Sequence, residues 1–170
     1  LAWSRAERLP LHLRLVKGAY WDAEVAIAGQ KGWRVPVWLR KPETDACFER
    51  MARRTLEAAD ICFLACGSHN IRSIAAVLET ARALGVSGDR YEFQVLYGMA
   101  EPVRRALLKQ VGRVRLYAPY GQLVPGMAYL VRRLLENTSN ESFLRQSFVE
   151  GAEAMILESF EKAQDDFKER

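Results

Sequence analysis

The chain has 170 residues, of which 49% are hydrophobic and 27% charged, enough for one domain with a sizeable core and ordinary for a soluble globular protein. Its 25 basic and 21 acidic residues leave a net charge of +4, spread along the chain, which argues weakly for nucleic acid or an acidic membrane as a partner. No run of like charge is long enough to be a tail, no apolar segment is long enough to span a bilayer, and the polar start from Trp3 to Arg8 is unlike a signal peptide.

In chain order, the apolar run Leu11 to Lys17 reads as a first strand, followed by a helical pattern over Ala19 to Gly29. Arg34 to Leu39 could be a short extended piece ending at Pro42. A helix is predicted from Thr44 to Ala59, with Thr44 as its N-cap. Ile61 to Cys66 is the second strand. Asn70 to Leu84 is a helix with Ile71, Ile74, Ala75 and Leu78 on one face. Tyr91 to Leu96 is the third strand. Glu101 to Gln110 is a helix that takes Pro102 in its first turn. Val114 to Ala118 is the fourth strand, and a helix from Leu123 to Glu136 follows it. The polar break 137–140 leads to a helical tract from Glu141 to Lys168.

Strand and helix alternate about four times, the pattern of parallel βα units, and the strands look apolar on both faces, as buried parallel strands do. A full barrel of this type has eight units and about 250 residues. The expected fold is therefore α/β, about half of a (βα)8 TIM-like barrel with four parallel βα units, plus a C-terminal helix. No glycine-rich dinucleotide fingerprint or lysine-type phosphate loop occurs, and on pattern alone a short doubly wound sheet remains open. The three cysteines, Cys47, Cys62 and Cys66, fit a reducing compartment better than a disulfide framework. Cys62 and Cys66 read as buried, inert thiols, since no further zinc ligand is suitably spaced.

Polar residues gather where each strand ends: Arg14 and Lys17 to Asp22 after the first, Gly67 to Asn70 after the second, Gln94 to Gly98 on the third, Tyr117 to Gly121 on the fourth. In a barrel, active sites are built at that end. The last helix of the alternating pattern carries Arg132 and Arg133 in an apolar run, with Tyr129 one turn before and Glu136 one turn after. Paired guanidinium forks suit a carboxylate or phosphate, although the same spacing also describes a solvated, ion-paired helix face. Neither of the two histidines, His12 and His69, sits in a serine or cysteine motif, and no His/Asp/Glu cluster has metal-ligand spacing. Arginine, lysine, aromatic and amide groups bind and orient, the profile of a protein that leaves the hard chemistry to a cofactor.

Five segments in order, Arg14 to Asp22, Ser68 to Asn70, Tyr91 to Met99, Tyr117 to Gly121 and Tyr129 to Asn137, closely resemble the proline dehydrogenase family, above all the dehydrogenase domain of the bifunctional bacterial proline utilization A flavoenzymes. The resemblance runs from about Leu11 to about Gly151. It implies a flavin-dependent (βα)8-barrel that oxidises L-proline to 1-pyrroline-5-carboxylate, with FAD as hydride acceptor. It implies that Arg132 and Arg133 clamp the proline carboxylate, and that Tyr117, Tyr129, Tyr20 and Leu96 wall the ring pocket. Arg14 would hydrogen-bond near the flavin N5, with Lys17 beside it. Val16, Gly18, Ala19 and Trp21 would pack around the flavin and its adenosine arm, and Arg40 and Lys41 would reach the phosphates or the adenosine. Ser68, His69, Asn70 and Gln94 would hydrogen-bond the cofactor, and Glu136 would support the arginines or the cofactor.

Family barrels also draw on strands that precede Leu1, and the solvated-looking segment 152–170 departs from the family pattern. The chain is therefore expected to be the C-terminal half of such a domain over 1–151, with a helical extension over 152–170. Alone it should be nearly inactive and prone to self-association through open sheet edges. The resemblance further implies a membrane quinone as electron acceptor and a place in the cytoplasm or at the inner face of its membrane. No nucleic-acid partner is expected. The competing reading is a small α/β module that binds an anionic ligand or a protein partner through the arginine-bearing helix, without catalysis.

Overall fold

Parallel strands can be joined only through a crossover, and each crossover in this chain contains a helix. In the computed structural model, which describes residues 1–18, 20–122, 124, 126–129 and 131–132, the order is α1 (Ala2–Glu7), β1 (Leu11–Leu15), α2 (Trp21–Lys31), α3 (Lys41–Leu56), β2 (Cys62–Gly67), α4 (Ile71–Ala83), β3 (Tyr91–Leu96), α5 (Glu101–Gln110) and β4 (Val114–Tyr117). The strands form one sheet in the order β1-β2-β3-β4, and every pairing is parallel. This is the four-stranded α/β arrangement of a partial TIM-like barrel.

The core lies between one face of this sheet and the helices. Alternation of side chains sends Leu64 and Cys66 of β2 and Phe93 and Val95 of β3 to that face. There they meet Phe48 and Ala52 of α3, Ile74, Val77 and Leu78 of α4, and Val103 and Leu107 of α5, all buried. Asn70 caps α4, its Oδ1 accepting from the Ser73 backbone N–H at 3.0 Å. Such a cap satisfies a helix N–H that would otherwise lack a partner.

Several expectations are corrected. α3 begins at Lys41, not Thr44, because Pro42 fits the first turn, where no N–H is needed. Arg34 to Leu39 forms no strand. α1 was not anticipated, its pattern being polar and short; Ser4 anchors it with a hydrogen bond from its hydroxyl to the Leu9 carbonyl. The strands are not uniformly apolar. β2 and β3 are largely buried, whereas the outer strands β1 and β4 are mostly exposed, each having a neighbour on one side only. Residues 124, 126–129, 131 and 132 are helical, in line with the helix expected there. Ala19, Arg133, Glu136 and the tract from Glu141 to Lys168 lie outside the described residues.

Candidate active site

The opposite face of the sheet corresponds to the interior of a barrel. Period-two alternation and the register place Arg14 of β1, Ala65 and Gly67 of β2, Glu92 and Gln94 of β3, and Arg115 and Tyr117 of β4 on it. An open concavity of about 640 Å³ runs along this face, from Pro10, Asp89 and Arg113 at the N-terminal strand ends to Arg14 and Gln94. The groups suited to binding gather at its C-terminal rim.

A chain of hydrogen bonds crosses three strands. Arg14 Nε donates to Gln94 Oε1 at 2.6 Å, and Gln94 Nε2 donates to Glu92 Oε1 at 2.7 Å. Arg115 closes the chain with a two-pronged grip on Glu92, Nε to Oε1 at 2.7 Å and Nη2 to Oε2 at 2.9 Å. The side chain of Glu92 is 2% exposed, and the Arg115 guanidinium, which outweighs the effect of burial, holds its carboxyl below the ordinary range. Gly67 makes the crossing possible. A Cβ there would stand 2.9 Å from Val16 Cγ1 and 3.3 Å from Arg14 Nη2.

Beyond β1 the chain turns through Gly18 at φ 77, a conformation that favours glycine. Lys17 reaches Asp45 of α3 at 2.5 Å and lies 5.4 Å from the Phe48 ring centroid. Burial lowers the pKa of its ammonium, against the pull of Asp45. Burial pushes the Asp45 carboxyl up, but Lys17 and Lys41 together hold it below its usual value. Arg40 and Lys41, at the start of α3, are exposed and pair with Glu43 at 2.8 Å and Asp45 at 3.0 Å. Trp21 ties the start of α2 to the following loop through Nε1 and the Trp38 carbonyl, at 2.9 Å.

After β2, the Ser68 hydroxyl oxygen accepts from the Asn70 backbone N–H at 3.1 Å. Ser68 and the Asn70 carbonyl oxygen thus shape the β2–α4 turn. His69 Nε2 accepts from the Leu96 backbone N–H at 3.0 Å, joining the ends of β2 and β3.

The aromatic residues converge on the arginine helix. Tyr117 at the end of β4 and Tyr129 have ring centroids 6.1 Å apart, and the Arg132 guanidinium lies 5.7 Å from the centroid of the Tyr20 ring. The ends of β1 and β4, at opposite edges of the sheet, are thereby drawn toward one locus. The structure thus gathers Arg14, Val16, Gln94, Tyr20, Tyr117, Tyr129 and Arg132 along the C-terminal rim. It places Arg40 and Lys41 at the outer end of α3, and Arg133, Glu136 and Ala19 are outside the described residues. Sequence reasoning missed Glu92, Arg115, Gly67 and Asp45. Glu92 was legible as the same-face neighbour of Gln94 two residues on, whereas Arg115 enters only through strand register.

A sequence profile of the family described as proline dehydrogenase matches residues 1–146. The chain belongs to the proline dehydrogenase family. It is 39% identical over 146 residues to the bifunctional protein PutA of Escherichia coli (strain K12), covering 82% of this chain and 11% of that protein. To proline dehydrogenase 2 of Bacillus subtilis (strain 168) it is 32% identical over 131 residues, 77% of this chain and 39% of the relative. The crystal structure of proline utilization A from Bdellovibrio bacteriovorus inactivated by N-propargylglycine superposes with a TM-score of 0.81 at 48% identity, over 92% of this chain and 16% of that one. The chain therefore spans about a tenth of the length of its bifunctional relatives. Among the described residues, no helix is long and apolar enough to cross a membrane, and no three His, Cys, Asp or Glu side chains converge to hold a metal.

Proposed function

We propose that this family segment serves the FAD-dependent oxidation of L-proline to 1-pyrroline-5-carboxylate, the first step of proline catabolism. The observation that carries this reading is the pair of contacts, of Tyr117 with Tyr129 and of Arg132 with Tyr20, on the same C-terminal side of the sheet as the Arg14–Gln94 pair. One end of the locus is a cation flanked by aromatic rings, suited to a small apolar ring bearing a carboxylate. The other is a guanidinium and an amide, suited to the heteroatom edge of a flat cofactor.

The residues present fit a flavin. The missing side chain at Gly67 leaves the space that Arg14 and Val16 occupy at the rim. Arg14, Gln94, His69 and the Asn70 amide nitrogen would bond the ring system, with Ser68 shaping the turn. Lys17 would stand beside it, and Val16, Gly18, Ala19 and Trp21 would pack around it. The exposed cations Arg40 and Lys41 would face the phosphates or the adenosine. When bound, the flavin supplies a two-electron acceptor for the hydrogen on the carbon next to the amine.

The chain's own residues orient and exclude. Arg132 and Arg133 would hold the carboxylate by charge-assisted forks, and Tyr20, Tyr117, Tyr129 and Leu96 would wall the ring and keep out water. Glu136 would brace the arginines or the cofactor. The barrel segment would run over 1–151 and the helical extension over 152–170. A membrane quinone would take the electrons onward, with the protein cytoplasmic or peripheral at the inner face of the membrane.

The test is spectroscopic. The complete polypeptide that carries this segment, loaded with FAD under anaerobic conditions, should show a flavin band that bleaches on adding L-proline. A saturating FAD titration without binding, or a band that proline leaves unchanged, overturns the reading.

A further inference from the structure

We propose that Glu92, gripped by Arg115, is a positioning residue that decides which way round the Gln94 amide faces and so aims Arg14 at the cofactor. The inference rests on the flavin role proposed above for Arg14.

The argument is one of donors and acceptors. A guanidinium only donates and an ionised carboxylate only accepts, whereas an amide does either, depending on which end it presents. Arg115 donates twice to Glu92, which keeps the carboxylate ionised and in place. Glu92 Oε1 can then receive only the NH2 end of Gln94, at 2.7 Å. The carbonyl end is left facing β1, where it accepts from Arg14 Nε at 2.6 Å. Alternation along the chain Arg115, Glu92, Gln94, Arg14 is consistent in this one amide orientation. Reversing the amide would set NH2 against a guanidinium and a carbonyl against a carboxylate. Bound through Nε, Arg14 holds its Nη2 beside Gly67, 3.3 Å from where a Cβ there would stand. Glu92 bonds Gln94 and Arg115, so its influence on Arg14 passes through Gln94.

A buried ion pair that merely braced the sheet would have no reason to dictate cofactor binding, and two variants separate these roles. Glu92→Gln is isosteric but can offer NH2 to Gln94, which then turns its own NH2 toward Arg14. The double variant Glu92→Gln, Gln94→Glu moves the acceptor-only group one position along the chain and restores an acceptor for Arg14. In the complete polypeptide, flavin fluorescence titration of the apoprotein reads FAD affinity, and 15N NMR reads water exchange of the Arg14 Nε–H without cofactor. We expect Glu92→Gln to weaken FAD binding by roughly ten-fold, the scale of one charge-assisted bond, and to speed Arg14 Nε–H exchange. The double variant should recover the slow Arg14 Nε–H exchange, the readout that does not depend on Gln94 as a cofactor ligand.

If Glu92→Gln does not fold, Arg115→Met, changed at an exposed side chain, should produce the same two effects. FAD affinity and Nε–H exchange unchanged in the folded variant, or a double variant whose Arg14 Nε–H exchanges as fast as the single's, overturn the proposal. A parent protein that takes up no flavin sinks the functional reading instead, and the exchange measurement still reports whether Glu92 sets the amide.

Discussion

Arg14 and Gln94 stand on strands that do not pair with each other, yet Arg14 Nε lies 2.6 Å from Gln94 Oε1. They meet over Gly67, on the strand between them. In closed barrels, interior layers are filled from alternate strands, and β1 and β3 are alternate strands. The bond therefore has the arrangement of a barrel-interior layer within these four strands.

Gly67→Ala should strain it. The added Cβ would fall 2.9 Å from Val16 Cγ1 and 3.3 Å from Arg14 Nη2. Val16 is partly exposed and can yield, so the stability loss should sit at the low end of overpacking costs, about 1 kcal/mol. FAD affinity should fall as well, because Arg14 must also shift slightly. Urea denaturation and a flavin titration check both halves, and FAD binding equal to the parent would contradict this account.

Asn70 joins a structural role to a proposed binding one, and substitution can part them. Asn70→Ala removes the α4 cap and should cost about 1 kcal/mol. Asn70→Asp keeps the acceptor and should keep that stability. It removes the amide nitrogen proposed to face the cofactor, so its FAD affinity should drop. Parent-like FAD binding by the Asp variant would confine Asn70 to capping.

Arg132→Met and Arg133→Met keep bulk and remove the fork. Each charge-assisted bond to a carboxylate is worth about 1.5–3 kcal/mol, so proline affinity should fall roughly ten- to a hundred-fold per arginine. Lys should rescue incompletely, lacking the planar fork. Flavin content should change little for Arg133→Met. Both Met variants binding proline as the parent does would return this helix to a solvated, ion-paired face.

Cys66 gives a pH signature. Burial pushes its thiol from 9.0 up to about 12. Below pH 9 folded and unfolded thiols both keep their proton, and stability is unaffected by this group. Between 9 and 12 only the unfolded thiol loses its proton, so unfolding is favoured, by up to about 1.4 kcal/mol per pH unit. Denaturation midpoints at pH 8 and pH 10 should fall less for Cys66→Ala than for the parent. Native thiol labelling should also reach half-buried Cys47 before Cys62 or Cys66.

Expressed as these 170 residues, the chain should self-associate. Among the described residues β1 and β4 each leave one edge unpaired, and Leu13, Val16 and Leu116 on or beside them are more than 40% exposed. Light scattering over a dilution series should show mass rising with concentration. A constant monomer mass at every dilution would run against this expectation.

Local order was readable from the amino-acid sequence because it depends on neighbours in the chain. Alternating apolar runs and helical periods located four strands and the helices between them, and Asn70 and Pro102 announced their helix starts. Where two local signals competed, as Thr44 and Pro42 did for the start of α3, the stiffer backbone constraint of proline prevailed. The order of its motifs marks the proline dehydrogenase family and groups Arg14, Gln94, the tyrosines and Arg132 together. The tertiary structure alone decided which of these groups touch. Strand register brought Arg115 to Glu92, and the absence of a side chain at Gly67 let β1 reach β3. The packing of α3 against the sheet brought Asp45 to Lys17. Those pairs are 23 to 80 residues apart. No local pattern encodes such separations, because they are set by how strands align and helices pack, which depends on the whole core at once.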